Sequence, residues 1–212
     1  MAKGSSKGGG GGGDIDKSKV LAEEDMISAR QSGNNQVATD QVLATSKAMH
    51  KQYGVDSEVG QFLIAKMSRG SRVLGYYDGK NIAINEKYMD AKKMTQSYDA
   101  CVDSGYHPGR GNKTGIEAVT AHEFGHALTD AAARKIGGVD LHGAADMIVA
   151  KAMKANSPTR KAMTDFGSKI SGYAKKNTAE TISEAVADVY CNGAKANRTS
   201  KSVVRALKSY LK

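Results

Sequence analysis

The chain has 212 residues, 40% of them hydrophobic and 25% charged, a composition that fits one globular domain with an ordinary core. No apolar run is long enough to span a bilayer, and residues 1–13 lack the apolar stretch of a signal peptide, so a cytoplasmic protein without a membrane partner is expected. Cys101 and Cys191 are too few for a disulfide framework and read as free thiols.

The formal charge of +9 suggests a nucleic-acid partner until it is divided along the chain. Lys195, Arg198, Lys201, Arg205, Lys208 and Lys212, with no acid among residues 193–212, and a surplus of two in residues 1–19 account for eight of the nine charges. The basic ends suit weak contact with nucleic acid or an acidic partner. A solvated helix face is the simpler reading.

Gly8 to Gly13 form a flexible run, and residues 1–17 are expected to lie outside the fold. Residues 18–32 and 35–53 are helix-forming, with Val37, Val42, Leu43 and Met49 at loose helical spacing, and make a helical region over 18–70. Residues 73–85 read as a hairpin around Asp78-Gly79. A helix over 86–102 follows, then the turn-rich segment 104–111, in which His107 reads as an ordinary surface histidine.

Thr114 and Glu117 fit a capping box that opens a long helix ending before Gly137-Gly138. Further helices are expected over 143–156, 159–172, 178–192 and from 200 to the end, the last within a basic tail over 194–212. The fold class is α+β, predominantly helical, with a small sheet or hairpin.

Two turns into the capped helix stands His122-Glu123-Phe124-Gly125-His126. Residues four apart on a helix lie about 5–6 Å apart at Cβ, so both imidazoles can reach one ion. A carboxylate beside the first histidine can take a proton from a metal-activated water, which is the zinc-hydrolase pattern. Such a site needs a third protein ligand. His142 is sixteen residues after His126, with no glycine-and-histidine extension between, and a third histidine is not expected.

Glu180 and Glu184 share a face of the helix over 178–192; one can bind the metal and the other can accept the second N–H of a ligand histidine. Spacing leaves their roles open, because Glu184 and Asp188 form an equivalent pair, and Glu180 also stands where a glutamate caps a helix begun by Asn177.

Tyr173, Glu180 and Glu184, taken with His122-Glu-Phe-Gly-His126, resemble the catalytic domain of anthrax lethal factor and related metallopeptidase-like domains of bacteria and bacteriophages. These are gluzincins. The likeness covers about residues 71–192 and implies a zincin-like domain over 71–193, with Zn²⁺ on His122, His126 and Glu180. It implies Glu184 as the partner of a ligand histidine, Glu123 as general base and Tyr173 as a phenol facing the substrate carbonyl. The competing likeness is thermolysin-like, with Glu184 as ligand and Asp188 behind it.

The resulting expectation is a zinc-dependent endopeptidase acting on a protein or peptide, with the strand over 81–85 as the rail on which substrate lies. Asp130 reads as a surface carboxylate one turn beyond His126. The alternative expectation is a phage virion or assembly protein that keeps the fold for binding, its basic ends touching nucleic acid or a structural partner, in the host cytoplasm or the virion.

Overall fold

The computed structural model describes residues 34–55, 62–65 and 71–212. The glycine run and the helix expected over 18–32 lie outside the described residues. In chain order the elements are α1 (Asn34–Tyr53), β1 (Phe62–Ala65), β2 (Gly75–Tyr77), β3 (Ile82–Asn85), a 3₁₀ turn (Glu86–Tyr88), α2 (Ala91–Asp103), α3 (Gly115–Ile136), α4 (Leu141–Ala152), α5 (Arg160–Gly167), α6 (Thr178–Asn192), a second 3₁₀ turn (Gly193–Lys195) and α7 (Arg198–Tyr210). The described protein is predominantly helical α+β, as composition and periodicity lead one to expect.

α3 is the spine. Thr114 Oγ1 accepts from the Glu117 N–H at 3.3 Å and Glu117 Oε2 accepts from the Thr114 N–H at 2.8 Å, the reciprocal cap that the sequence predicts. Beyond the cap the helix is apolar on most sides, and Ile116, Ala121, Phe124, Leu128 and Ala132 are all fully buried. Such a helix must be covered all round. α1, α2, α4, α6 and the small sheet pack on it.

The sheet has the order β1-β3-β2, with β1 parallel and β2 antiparallel to β3. The expected hairpin is β2–β3, closed by the Asp78 carboxylate, which accepts from the Lys80 and Asn81 N–H groups at 2.9 and 2.6 Å. Phe62, Ile64, Ile82 and Ile84 join the main core, while Leu63, Ala65 and Ala83 form a smaller cluster on the other face with Val73 and Tyr76. β3 is paired on both sides, so the strand over 81–85 has no free backbone edge and cannot serve as the substrate rail; among the described residues β2 is an open edge, next to α3.

Element ends shift where side chains restart or stop a helix. The helix expected over 86–102 begins at Ala91, because the Asp90 carboxylate caps it by accepting from the Lys93 N–H at 2.8 Å. The helix expected over 143–156 begins earlier, capped by Asp140 at the Gly143 N–H. The one expected over 159–172 stops at Gly167, and residues 168–177 turn back to pack on α6. The basic segment 194–212 is mostly α7, whose Val203, Val204, Leu207 and Leu211 are buried in the main core. On its other side Lys201, Arg205, Lys208 and Lys212 line an open groove of about 450 Å³ with Gln52 of α1. No helix among the described residues is long and apolar enough to cross a membrane.

Candidate functional site

α3 and α6 cross at Gly125 and Ser183. A Cβ on Gly125 would lie 2.6 Å from Ser183 Cα, so the two backbones approach as closely as they do only because residue 125 has no side chain. The pattern around the crossing is symmetric. His122 and His126 stand three before and one after Gly125, and Glu180 and Glu184 stand three before and one after Ser183, so closing the helices brings both imidazoles against Glu180 and His122 against Glu184 as well.

Glu180 Oε2 lies 3.3 Å from His122 Nε2 and 3.3 Å from His126 Nε2. It is buried and has no hydrogen-bond partner. A buried carboxylate oxygen without a partner is costly. Here it points, with two ring nitrogens, at one place. Glu123 and the two histidines also bring ligand atoms within 4.8 Å of one another. Two carboxylates therefore border the same place, and only Glu180 is in close contact with both imidazoles.

Glu184 differs from Glu180 in having every oxygen engaged. Its Oε1 lies 2.7 Å from His122 Nδ1 and 2.9 Å from His107 Nδ1, and its Oε2 accepts from the Ser171 hydroxyl at 2.7 Å. The His122 contact is an ion-pair approach without the alignment of a hydrogen bond. Asp188 faces another way. Its oxygens accept from the Asn192 side chain at 2.8 Å and from the Asn197 N–H at 2.9 Å, holding the turn into α7.

The electrostatics of the cluster ask for positive charge. Burial alone would raise the pKa of Glu180, but the two imidazoles outweigh it and hold the carboxyl well below its usual range. For Glu184 the same opposition, burial against His107 and His122, ends with a pKa lowered to about 2. The two carboxylates in turn keep His122 protonated against the burial that disfavours its charge. One divalent cation between His122, His126 and Glu180 would supply that charge without the protons. These residues could hold a metal ion.

No family model matches the chain, and neither the curated proteins nor the solved structures contain a match. The site's meaning therefore rests on its own geometry. Glu123 is buried beside His122, and burial raises its pKa, with the imidazoles acting in the opposite direction. Glu123 is thus a buried carboxylate and not a solvated one. Tyr173 stacks on His122 with ring centroids 5.7 Å apart, and its phenol pKa is raised by burial and then by Glu180.

What holds Tyr173 there is a pair of loops that spacing could not reveal. The Gly172 and Tyr173 N–H groups donate to the carbonyls of Gly105 and Tyr106 at 2.8 and 2.9 Å, and Thr181 Oγ1 donates to the Ala174 carbonyl at 2.7 Å. This pairing carries His107 into the site, contrary to its reading as a surface histidine. His107 stacks on Tyr98 at 5.1 Å, meets Tyr173 edge-on at 5.4 Å and contacts Glu184. Pro108 and the flanking glycines made the segment look like a plain turn. Tyr98, a buried tyrosine of α2, fixes that segment through its hydroxyl, which donates to the Pro108 carbonyl at 3.2 Å.

Asp130 is more than a surface carboxylate. Its Oδ2 accepts from the Tyr77 hydroxyl at 3.0 Å and pairs with Arg134, tying β2 to α3 one turn past the histidines.

Proposed function

We propose that the protein is a zinc-dependent endopeptidase with a zincin-like catalytic domain. The observation that carries this reading is the orphaned Glu180 Oε2, 3.3 Å from two imidazole nitrogens. Neighbouring ligands about 2.0–2.1 Å from a tetrahedral zinc would be about 3.3–3.4 Å apart, and the spacings here fit that, with histidine and carboxylate donors. Three protein ligands leave the fourth position for water, as in a catalytic rather than a structural site. Zn²⁺ held by His122, His126 and Glu180 would lower the pKa of a water there and polarise the scissile carbonyl.

The chain's own residues supply the rest. Glu123 accepts the proton of the attacking water and returns it to the leaving amide nitrogen. Tyr173, beside His122, donates its phenol hydrogen to the carbonyl oxygen as charge builds on it. Glu184 orients His122 through Nδ1 and is itself held by Ser171 and His107. Along β2 the hydrogen bonds to β3 alternate, Leu74 accepting from the Asn85 N–H and the Asp78 N–H donating to Asn81, so the backbone groups of Gly75 and Tyr77 face the open edge. An extended peptide can add there as a strand.

The test is cleavage of unfolded protein substrates together with zinc content. The wild type is expected to hold one zinc and cut peptide bonds, and Glu123→Gln to keep the zinc and lose turnover. Retained zinc with no cleavage of a broad peptide library would instead favour the binding protein.

A further inference from the structure

One contact of the general base is made by an atom that is missing. A Cβ on Gly75 would lie 3.0 Å from Glu123 Cγ, 3.1 Å from Glu123 Oε1 and 2.8 Å from Val119 Cγ1. The approach to Val119 is one that real Cβ atoms do not make, and those to Glu123 are tighter than nine in ten real Cβ contacts, so a side chain at position 75 must push back what lies beneath it. The terminal carboxylate of Glu123 is the part able to move, and Val119, one turn earlier on α3, is buried and fixed. No hydrogen bond among the described residues holds the Glu123 carboxylate. The imidazoles attract it, and packing between Val119 and the backbone of the edge strand limits where it can turn.

We infer that Gly75 is a positioning residue: its bare backbone lets β2 lie directly on Glu123 and hold the base in place, while the outward amide and carbonyl of the same residue stay free for substrate. Two needs meet at one position. A peptide adding to the edge at Gly75 is brought beside the carboxylate that must take the water's proton, and a side chain at 75 would spoil the base without touching the metal ligands. The inference rests on the hydrolytic reading for its consequence and on the packing alone for its structural part.

The experiment compares wild type, Gly75→Ala and Gly75→Ala/Val119→Ala, the second substitution removing the 2.8 Å clash and leaving only the contact with Glu123. Crystal structures, zinc content, melting temperature, kcat and KM are read for each. Both variants should keep zinc and KM while kcat falls about 10²-fold, the scale of a misplaced catalytic group, and the Glu123 carboxylate should be displaced in both structures. Adding Glu123→Gln to Gly75→Ala should then cost far less than it costs the wild type, since the base is already out of place. Wild-type kcat with an unmoved carboxylate in the double variant overturns the inference, as does failure of both variants to fold, which would assign Gly75 to the core alone. A wild type that cleaves nothing contradicts the hydrolytic reading, and the carboxylate position in the variant structures then tests the packing by itself.

Discussion

The α3–α6 helix pair and the loops at its end build the site in different ways. The helices carry His122, Glu123, His126, Glu180 and Glu184, locked together by the Gly125–Ser183 crossing and buried on most sides. The loops over 104–111 and 168–177 carry His107, Ser171 and Tyr173, held by two backbone hydrogen bonds to each other and by side-chain bonds to α6. Under the proposed function the difference is a division of labour: the helix pair would make the place for an ion, and the loops would orient what surrounds it. Changes in the helices should act on metal directly, and changes in the loops on turnover or, through Glu184, more weakly on metal. Glu123 would be the exception, a helical residue that acts on turnover rather than on metal.

That exception is the largest expected effect. Glu123→Gln should lower kcat by about 10²–10⁴-fold, the usual share of a general base, with zinc content unchanged; steady-state kinetics beside metal analysis would show it, and loss of zinc would move Glu123 into the ligand set. Tyr173→Phe should cost about 10²–10³-fold in kcat and leave zinc in place. A tyrosine that only packs against His122 would instead show lowered stability and intact kcat. His107→Ala releases one of the partners of Glu184 and should weaken zinc affinity or activity by about 10–100-fold, less than loss of a ligand. Competition with a chelator would measure it, and an unchanged affinity would break the link between loop and ion.

Smaller still, Thr114→Ala removes the cap of α3 and should cost about 1 kcal/mol of stability with little change in turnover, read from denaturant unfolding. Replacing Lys201, Arg205, Lys208 and Lys212 together by Ser should leave zinc and cleavage as they are, because the groove they line shares no residue with the site. Salt-dependent DNA retention by the wild type that disappears in this variant would give the basic face a partner of its own.

The helix-borne half of the site was legible because helical spacing is local: a pair of histidines four apart and a pair of glutamates four apart each define a face wherever the helix goes. Their meeting was not local, and spacing alone left Glu180 and Glu184 interchangeable. The two differ by what surrounds them in space, with Glu184 saturated by His107, His122 and Ser171 and Glu180 left with a bare oxygen. His107 escaped because its segment has the composition of a turn, and the backbone pairing with residues 172–173 that helps bring it to Glu184 leaves no mark on side-chain pattern. The misplaced substrate rail has a similar cause. The Asp78-Gly79 turn identifies a hairpin, but which of its strands is central depends on β1, a partner outside the hairpin.

The most direct test of the central claim is the zinc content of wild type, Glu180→Ala and Glu184→Gln prepared side by side. The arrangement of His122, His126 and Glu180 predicts about one zinc per chain in the wild type, none retained by Glu180→Ala, and weakened but measurable binding by Glu184→Gln. Full zinc in Glu180→Ala, with loss in Glu184→Gln, would contradict it.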